Sequence, residues 1–224
     1  MKVLSRGSII LAVFLFCIPL VHGQDLSKYR TFTLGMSSAD ILKLAGEKPA
    51  DVALIHEKPS LIQELTWYPP LPFSSPHAVE PVEKVVFSFC GGDLYRIVAT
   101  YNSDAIKGLS SEDMIKMLSM RYGTATMPAA EISFPTNDSY QATQKVVARW
   151  EDSQYSINLF RPAMADTFAI VMFNKQADLK AGLSIAESAK LEKQEAPQKE
   201  AARVKQAAID TEAERQRNIK AFRP

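Results

Sequence analysis

Apolar residues recur at the spacing of an α-helix in two stretches of the chain, one after Ser37 and one after Ser110. Within each stretch they lie mostly three or four residues apart, which predicts an amphipathic helix with one buried face. An aspartate follows each serine three residues later, a variant of the capping box in which the serine side chain binds free amides of the first turn. A glycine, Gly46 or Gly123, is expected to end each helix.

Shorter apolar or alternating stretches predict six β-strands, three after each helix. They cover residues 65–68, 85–90, 94–101, 146–150, 155–161 and 167–174. In the strand 94–101, alternation places Tyr95 with Ile97 on one face and Arg96 with Leu94 on the other. One face of the sheet is expected to pack against the helices, and the other, mixed in polarity and carrying aromatic rings, is expected to be open to water.

The chain also repeats itself, because the segment 35–44 returns 73 positions later as the segment 108–117. Together with the predicted elements, this repeat indicates an α+β fold. It would contain two tandem helix-plus-three-strand units that form one antiparallel sheet with the helices on one face. Repeat one is predicted over residues 28–102 and repeat two over residues 103–175, within a domain that spans 24–175.

From residue 176 to 224 the composition shifts to Ala, Glu, Lys, Gln and Arg, which predicts a charged tail that is either a solvated helix or disordered. Leu179, Leu183 and Ala186 could dock its first turns against the domain. A tail that binds a partner or another copy of the chain is the alternative interpretation.

The first 23 residues have the pattern of a secretory signal peptide, with basic residues followed by the apolar run Ile9–Val21. The run is too short to span a bilayer, so we expect a periplasmic or secreted protein with no transmembrane segment in the mature chain. Cys17 lies within this signal, which leaves Cys90 alone and excludes an intramolecular disulfide after cleavage.

The charge balance favours a protein or peptide partner. Lys and Arg number 26 and Asp and Glu 25, so the net charge is +1 at pH 7. A nucleic-acid-binding surface would require a basic stripe, and none is evident. No cofactor is expected, and the oligomeric state stays open.

No catalytic or metal site is predicted. Cys90 and His77 could be imagined as nucleophile and base, but Cys90 ends a strand beside Phe89, where a cysteine is usually a small buried apolar residue. His56 and His77, the histidines outside the signal, lie without the further ligands that zinc requires. An enzyme acting on an extracellular small molecule is therefore the least supported hypothesis.

The proline-rich segment 68–81 is the most suggestive binding element, because prolines stiffen it and Tyr68, Leu71 and Phe73 supply apolar groups. Leu71 and Phe73 could equally fold back over the core. Together with Tyr95 and Arg96 of the sheet, these three form the predicted binding residues. The leading hypothesis is an exported, non-enzymatic protein-binding or assembly module, and the alternative is a structural envelope protein that associates through its charged tail.

The arrangement resembles the group that contains the outer-membrane assembly lipoprotein BamE (SmpA/OmlA) and the β-lactamase inhibitor protein BLIP. The resemblance covers roughly residues 28–175. It is carried by Gly35-Met36-Ser37 with Gly46 and Pro49, Gly108-Leu109-Ser110 with Tyr122-Gly123, and the two tryptophans Trp67 and Trp150. It implies helices on one side of an antiparallel sheet and protein partners held by the opposite, concave side or its loops. Trp67 and Trp150, at matching places, are interpreted as core residues.

Overall fold

A computed structural model describes residues 24–70, 80–134, 143–162 and 165–223. Within these ranges the fold is mixed α+β, with a two-stranded sheet, an eight-stranded antiparallel sheet and three α-helices. The strands are β1 Lys28–Tyr29, β2 Phe32–Thr33, β3 Ala53–His56, β4 Ile62–Trp67, β5 Val82–Cys90, β6 Asp93–Tyr101, β7 Glu131–Ile132, β8 Gln144–Glu151, β9 Tyr155–Phe160 and β10 Ala169–Asn174. The helices are α1 Ser38–Ala45, α2 Ser111–Tyr122 and α3 Lys175–Ala221.

The first two helices begin where the sequence predicts. Ser37 caps α1, with its hydroxyl accepting from the amide of Asp40 at 3.2 Å, and Gly46 ends the helix in the left-handed conformation at φ 73°. Ser110 and Asp113 form a complete capping box at the start of α2. These contacts bind amides that the first helical turn leaves without an internal partner.

The large sheet has the strand order β3-β4-β5-β6-β10-β9-β8-β7, so β6 and β10 pair at its centre. The six predicted strands correspond to β4, β5, β6, β8, β9 and β10. The sequence pattern missed β3 and β7, which are short strands at the two edges. A tight turn at Gly91 and Gly92, both with positive φ, joins β5 to β6.

The main core lies between one face of this sheet and the layer formed by α1, α2 and the β1–β2 hairpin. Trp67 and Trp150 both belong to this core, as predicted. Each indole N–H donates to a backbone carbonyl at the end of a helix, Trp67 to Ala45 at 3.1 Å and Trp150 to Gly123 at 2.9 Å.

A β-bulge in β6 changes the predicted faces. Ser88 pairs with Arg96 and Phe89 pairs with Leu94, so Tyr95 is the additional residue. Leu94 therefore points into the main core, whereas Tyr95 and Arg96 lie together on the opposite face. The prediction that Tyr95 shares a face with Ile97 is wrong for this reason.

The third helix is continuous over 47 residues, and its first turns cross the second face of the sheet. Asn174 caps it by accepting from the amide of Ala177 at 3.0 Å. The expectation of helices on one face only is therefore incomplete. The tail is helical rather than disordered over the residues that the structure describes.

Small residues dock α3, not the predicted leucines. Ala181, Ser184 and Ser188 are buried, whereas Leu179 and Leu183 are about two-thirds exposed. Ala186, the third predicted contact, is also exposed. Alanine and serine let the helix backbone approach the sheet closely, which a search for large apolar side chains does not detect.

Candidate functional site

The part of the sheet face that carries Tyr95 and Arg96, both predicted to bind a partner, is covered by the chain's own C-terminal helix. Tyr95 and Arg96 are 3% and 6% exposed, and Tyr95 packs in a small cluster with Ile62 of β4 and Ala181 of α3. In this arrangement neither side chain is available to another molecule. Their interaction here is with α3.

A buried ion pair fixes α3 to the sheet. The Nε and Nη2 atoms of Arg96 lie 2.7 and 2.5 Å from Oδ1 of Asp178. The guanidinium carbon of Arg96 lies 5.7 Å from the ring centre of Tyr95 and 5.7 Å from that of Phe134. Burial raises the pKa of Asp178, with Arg96 acting in the opposite direction. Burial also raises the pKa of Tyr95 to about 12, so its phenol stays neutral.

Contacts continue along the helix for more than three turns beyond this pair. The Ser184 hydroxyl donates to the Ser60 hydroxyl at 3.0 Å, and the Ser188 hydroxyl donates to the Lys58 carbonyl. Farther along, Oε1 of Glu192 lies 3.0 Å from a ring nitrogen of His56. The part of α3 from its start to residue 192 is therefore anchored to the domain.

Tyr68 does not join Tyr95 and Arg96. Its side chain is 64% exposed directly after β4. Since Trp67 pairs with Val85 and Val85 with Ala99, Tyr68 lies beyond the level of Ala99, which is itself about 13 Å along β6 from Tyr95 at about 3.3 Å per residue. The structure thus separates two parts of the predicted surface.

The other predicted binding residues, Leu71 and Phe73, lie outside the residues that the structure describes. The same holds for His77 of the predicted segment 68–81 and for the predicted signal peptide. Their roles stay predictions.

Beyond its anchored part, α3 forms an arm, defined here as residues 193–221. Every residue of the arm is exposed. At about 1.5 Å per residue, it extends for about 43 Å. Three ion pairs lie along it, each between residues one helical turn apart. They join Lys199 to Glu195 at 2.9 Å, Arg203 to Glu200 at 2.7 Å and Arg215 to Glu212 at 2.8 Å. Such pairs support an exposed helix only weakly, because both charges are solvated.

The thiol of Cys90 is the candidate nucleophile that the structure describes. Cys90 is partly buried, and burial raises the pKa of its thiol, so the reactive thiolate is disfavoured. No group of three or more His, Cys, Asp or Glu side chains within the described ranges could hold a metal ion. Among the helices of these ranges, none combines the length and the apolar character that crossing a membrane requires.

Sequence reasoning missed the residues that dock α3, although a signal was present. Ala177, Ala181, Ser184 and Ser188 follow one another at intervals of four, three and four residues, which is the spacing of a single helix face. Small residues at that spacing indicate a helix that packs closely against a neighbour. Asp178, beside the first of them, could have been paired with a cation of the sheet.

Comparison of this chain with protein-family models, curated proteins and solved structures finds no match.

Proposed function

We propose that this chain is an exported, non-enzymatic binding module that presents a rigid helical arm to a protein partner. The observation that carries the proposal is the exposure of residues 193–221 in a helix continuous with the anchored part of α3. Export rests on the sequence pattern of residues 1–23.

The arm has a fixed starting direction because α3 is anchored before it leaves the domain. Isolated helices are marginal in water, and most helical stability in proteins comes from packing. Here the ion pair of Arg96 with Asp178 and the contacts up to Glu192 fix the preceding turns. A partner that packs against the arm would supply the apolar contacts that the arm lacks in the single chain.

Part of the apolar surface of the arm lies on one side of the helix. At 100° per residue, four apolar residues fall within a sector of about 60°. The set, named the seam, contains Ala201, Val204, Ala208 and Ile219. Ile209 lies about 140° from Val204, on another side of the helix. The seam favours a helical element of a protein as the occupant.

We also infer that the domain consists of two tandem units that meet where β6 pairs with β10. Four strands lie on each side of this junction, in mirrored order. Trp67 and Trp150 donate to carbonyls at the ends of α1 and α2, respectively, so the two halves share a helix–strand contact. The resemblance to BamE and BLIP stays a proposal at the level of this fold.

The test compares the mature chain from Gln24 with a chain that ends at Glu192, which keeps the anchored turns and removes the arm. Both are used as bait in envelope extract of the native host, and retained proteins are identified by mass spectrometry. A double variant of the seam, Val204→Glu with Ile219→Glu, is compared with Ile209→Glu as the matched control. Circular dichroism and sedimentation velocity report folding and self-association.

We expect one dominant partner that the truncated chain and the seam variant lose and the control keeps. Equal retention by the truncated chain would contradict the arm proposal and direct attention to the domain, where Tyr68→Ala is the next variant. Absence of any enriched protein, with no self-association, would also contradict it.

A further inference from the structure

A cavity of about 340 Å³ lies between α2, the β1–β2 hairpin, the ends of β5 and β6 and the connection that leads to α2. It is on the side of the sheet that faces α1 and α2, so α3 takes no part in it. Its walls are mainly apolar and include Val82, Ile106, Met114, Met117 and Leu118. The volume is at the lower end of the range for small-molecule sites in proteins, about 300–1,000 Å³.

Three tyrosines and two arginines supply the polar lining. Tyr29 and Tyr122 are buried, Tyr101 is partly buried, and Arg30 and Arg121 lie at the exposed rim. Burial raises the pKa of each tyrosine, and the charges of the other two tyrosines and of Arg30 also act on Tyr101. The three phenols therefore remain neutral, and that of Tyr122 already donates to the Lys28 carbonyl at 3.4 Å.

The two arginines differ in how far they are neutralised. Arg30 pairs with Glu80, whose Oε1 also accepts from the amide of Val82 at 3.1 Å. Arg121 has no salt bridge to any residue in the described ranges, and its guanidinium lies 5.6 Å from the ring centre of Tyr122. Acidic side chains are absent from the described lining. The rim is therefore complementary to a negative charge.

We propose that this cavity binds a small amphipathic molecule with an apolar body and one carboxylate, of which a medium-chain fatty acid is the simplest example. The body lies against the apolar wall formed by α2 and Val82. The carboxylate lies at the rim, where Arg121 donates to it. Charge-assisted hydrogen bonds of this kind are about twice as strong as neutral ones.

Decanoate is the probe, and isothermal titration calorimetry on the mature chain measures its affinity below the micellar range. Decanol has the same chain length but no charge, and decyltrimethylammonium has the same chain length with the opposite charge. Arg121→Gln removes the rim cation, and Lys116→Gln is the matched control because Lys116 is an exposed cation of the same helix outside the cavity lining. Methyl spectra of methionine locate the site, since Met114 and Met117 line the cavity and Met127 does not.

We expect decanoate to bind at least tenfold more tightly than either analogue and to shift the methyl signals of Met114 and Met117 but not that of Met127. Arg121→Gln is expected to weaken binding about five- to tenfold, and Lys116→Gln to leave it within a factor of two.

Three results would overturn the proposal: no binding of decanoate, equal affinity for all three probes, or binding that both glutamine variants weaken alike. A shift of the Met127 signal in place of the other two would place the ligand elsewhere and also overturn it.

Discussion

Replacing Asp178 by alanine is expected to destabilise the folded chain because it leaves the guanidinium of Arg96 buried without its partner. The side chain of Arg96 is 7% exposed and that of Asp178 is 20% exposed. Loss of one member of a buried pair costs about 3–5 kcal/mol. Since Asp178 is partly open to water, we expect a smaller loss, about 2–3 kcal/mol, in the free energy of unfolding measured in urea.

A double variant separates charge from packing. Arg96→Met with Asp178→Leu removes both charges and keeps most of the volume, so we expect its free energy of unfolding to stay within about 1 kcal/mol of that of the original chain. Hydrogen exchange of residues 177–192 distinguishes local detachment of α3 from global unfolding. If Asp178→Ala leaves stability unchanged, or if the double variant loses as much as the single one, the ion pair does not anchor α3 as described.

The same pair predicts a pH dependence with a definite sign. Burial raises the pKa of Asp178 in the folded chain above its value in the unfolded chain. The folded state therefore binds this proton more tightly, and the stabilisation that results is complete below the unfolded pKa and is lost as pH rises through the folded pKa. Relative to Asp178→Asn, the original chain should lose stability as pH rises from about 4 towards neutrality. A relative gain over that range would show that the attraction of Arg96 outweighs burial.

Other substitutions test the remaining elements. Ser110→Ala should lower the free energy of unfolding by about 1 kcal/mol. Hydrogen bonds to Ser110 lower the pKa of Asp113 in the folded chain. The stabilisation linked to that carboxylate should therefore be lost as pH falls through its folded pKa in an acid titration of stability. If Ser110→Ala leaves the acid part of that titration unchanged, the prediction is wrong. Trp150→Phe should cost about 1–3 kcal/mol in urea unfolding because the Gly123 carbonyl loses its indole donor. Pro197→Ala should increase the helical circular dichroism signal of the arm, since an internal proline costs a helix about 3 kcal/mol, and a decrease would show that the arm needs the proline.

Local signals in the sequence were enough to predict much of the fold. The serine caps, the terminating glycines and the turn at Gly91 and Gly92 act over a few residues, so the pattern gives α1, α2 and six strands. The edge strand Ala53–His56 escaped prediction because it is mostly exposed and has a bulge of its own. Its pairing depends on its neighbour Ile62–Trp67 rather than on its own pattern.

Two facts decide that the part of the predicted binding face around Tyr95 and Arg96 is covered, and the alternation of large apolar residues detects neither of them. A one-residue bulge in β6 moves Tyr95 beside Arg96, and strict alternation has no means to place such a bulge. The helix that covers both is docked by small residues whose hydrophobicity is low. A search for an apolar stripe therefore selected Leu179 and Leu183, which face away from the domain.

The two proposed sites can be tested without interference because the sheet separates them. The cavity lies on the side of α1 and α2, whereas the arm leaves the domain from the side that α3 covers. Substitutions at sites more than about 7–10 Å apart with no shared partner usually act additively. Arg121→Gln should therefore leave partner binding by the arm unchanged, and the chain that ends at Glu192 should bind decanoate with its original affinity. Loss of decanoate binding in the truncated chain would mean that the two faces are coupled through the sheet, whose central strands β6 and β10 contact both layers.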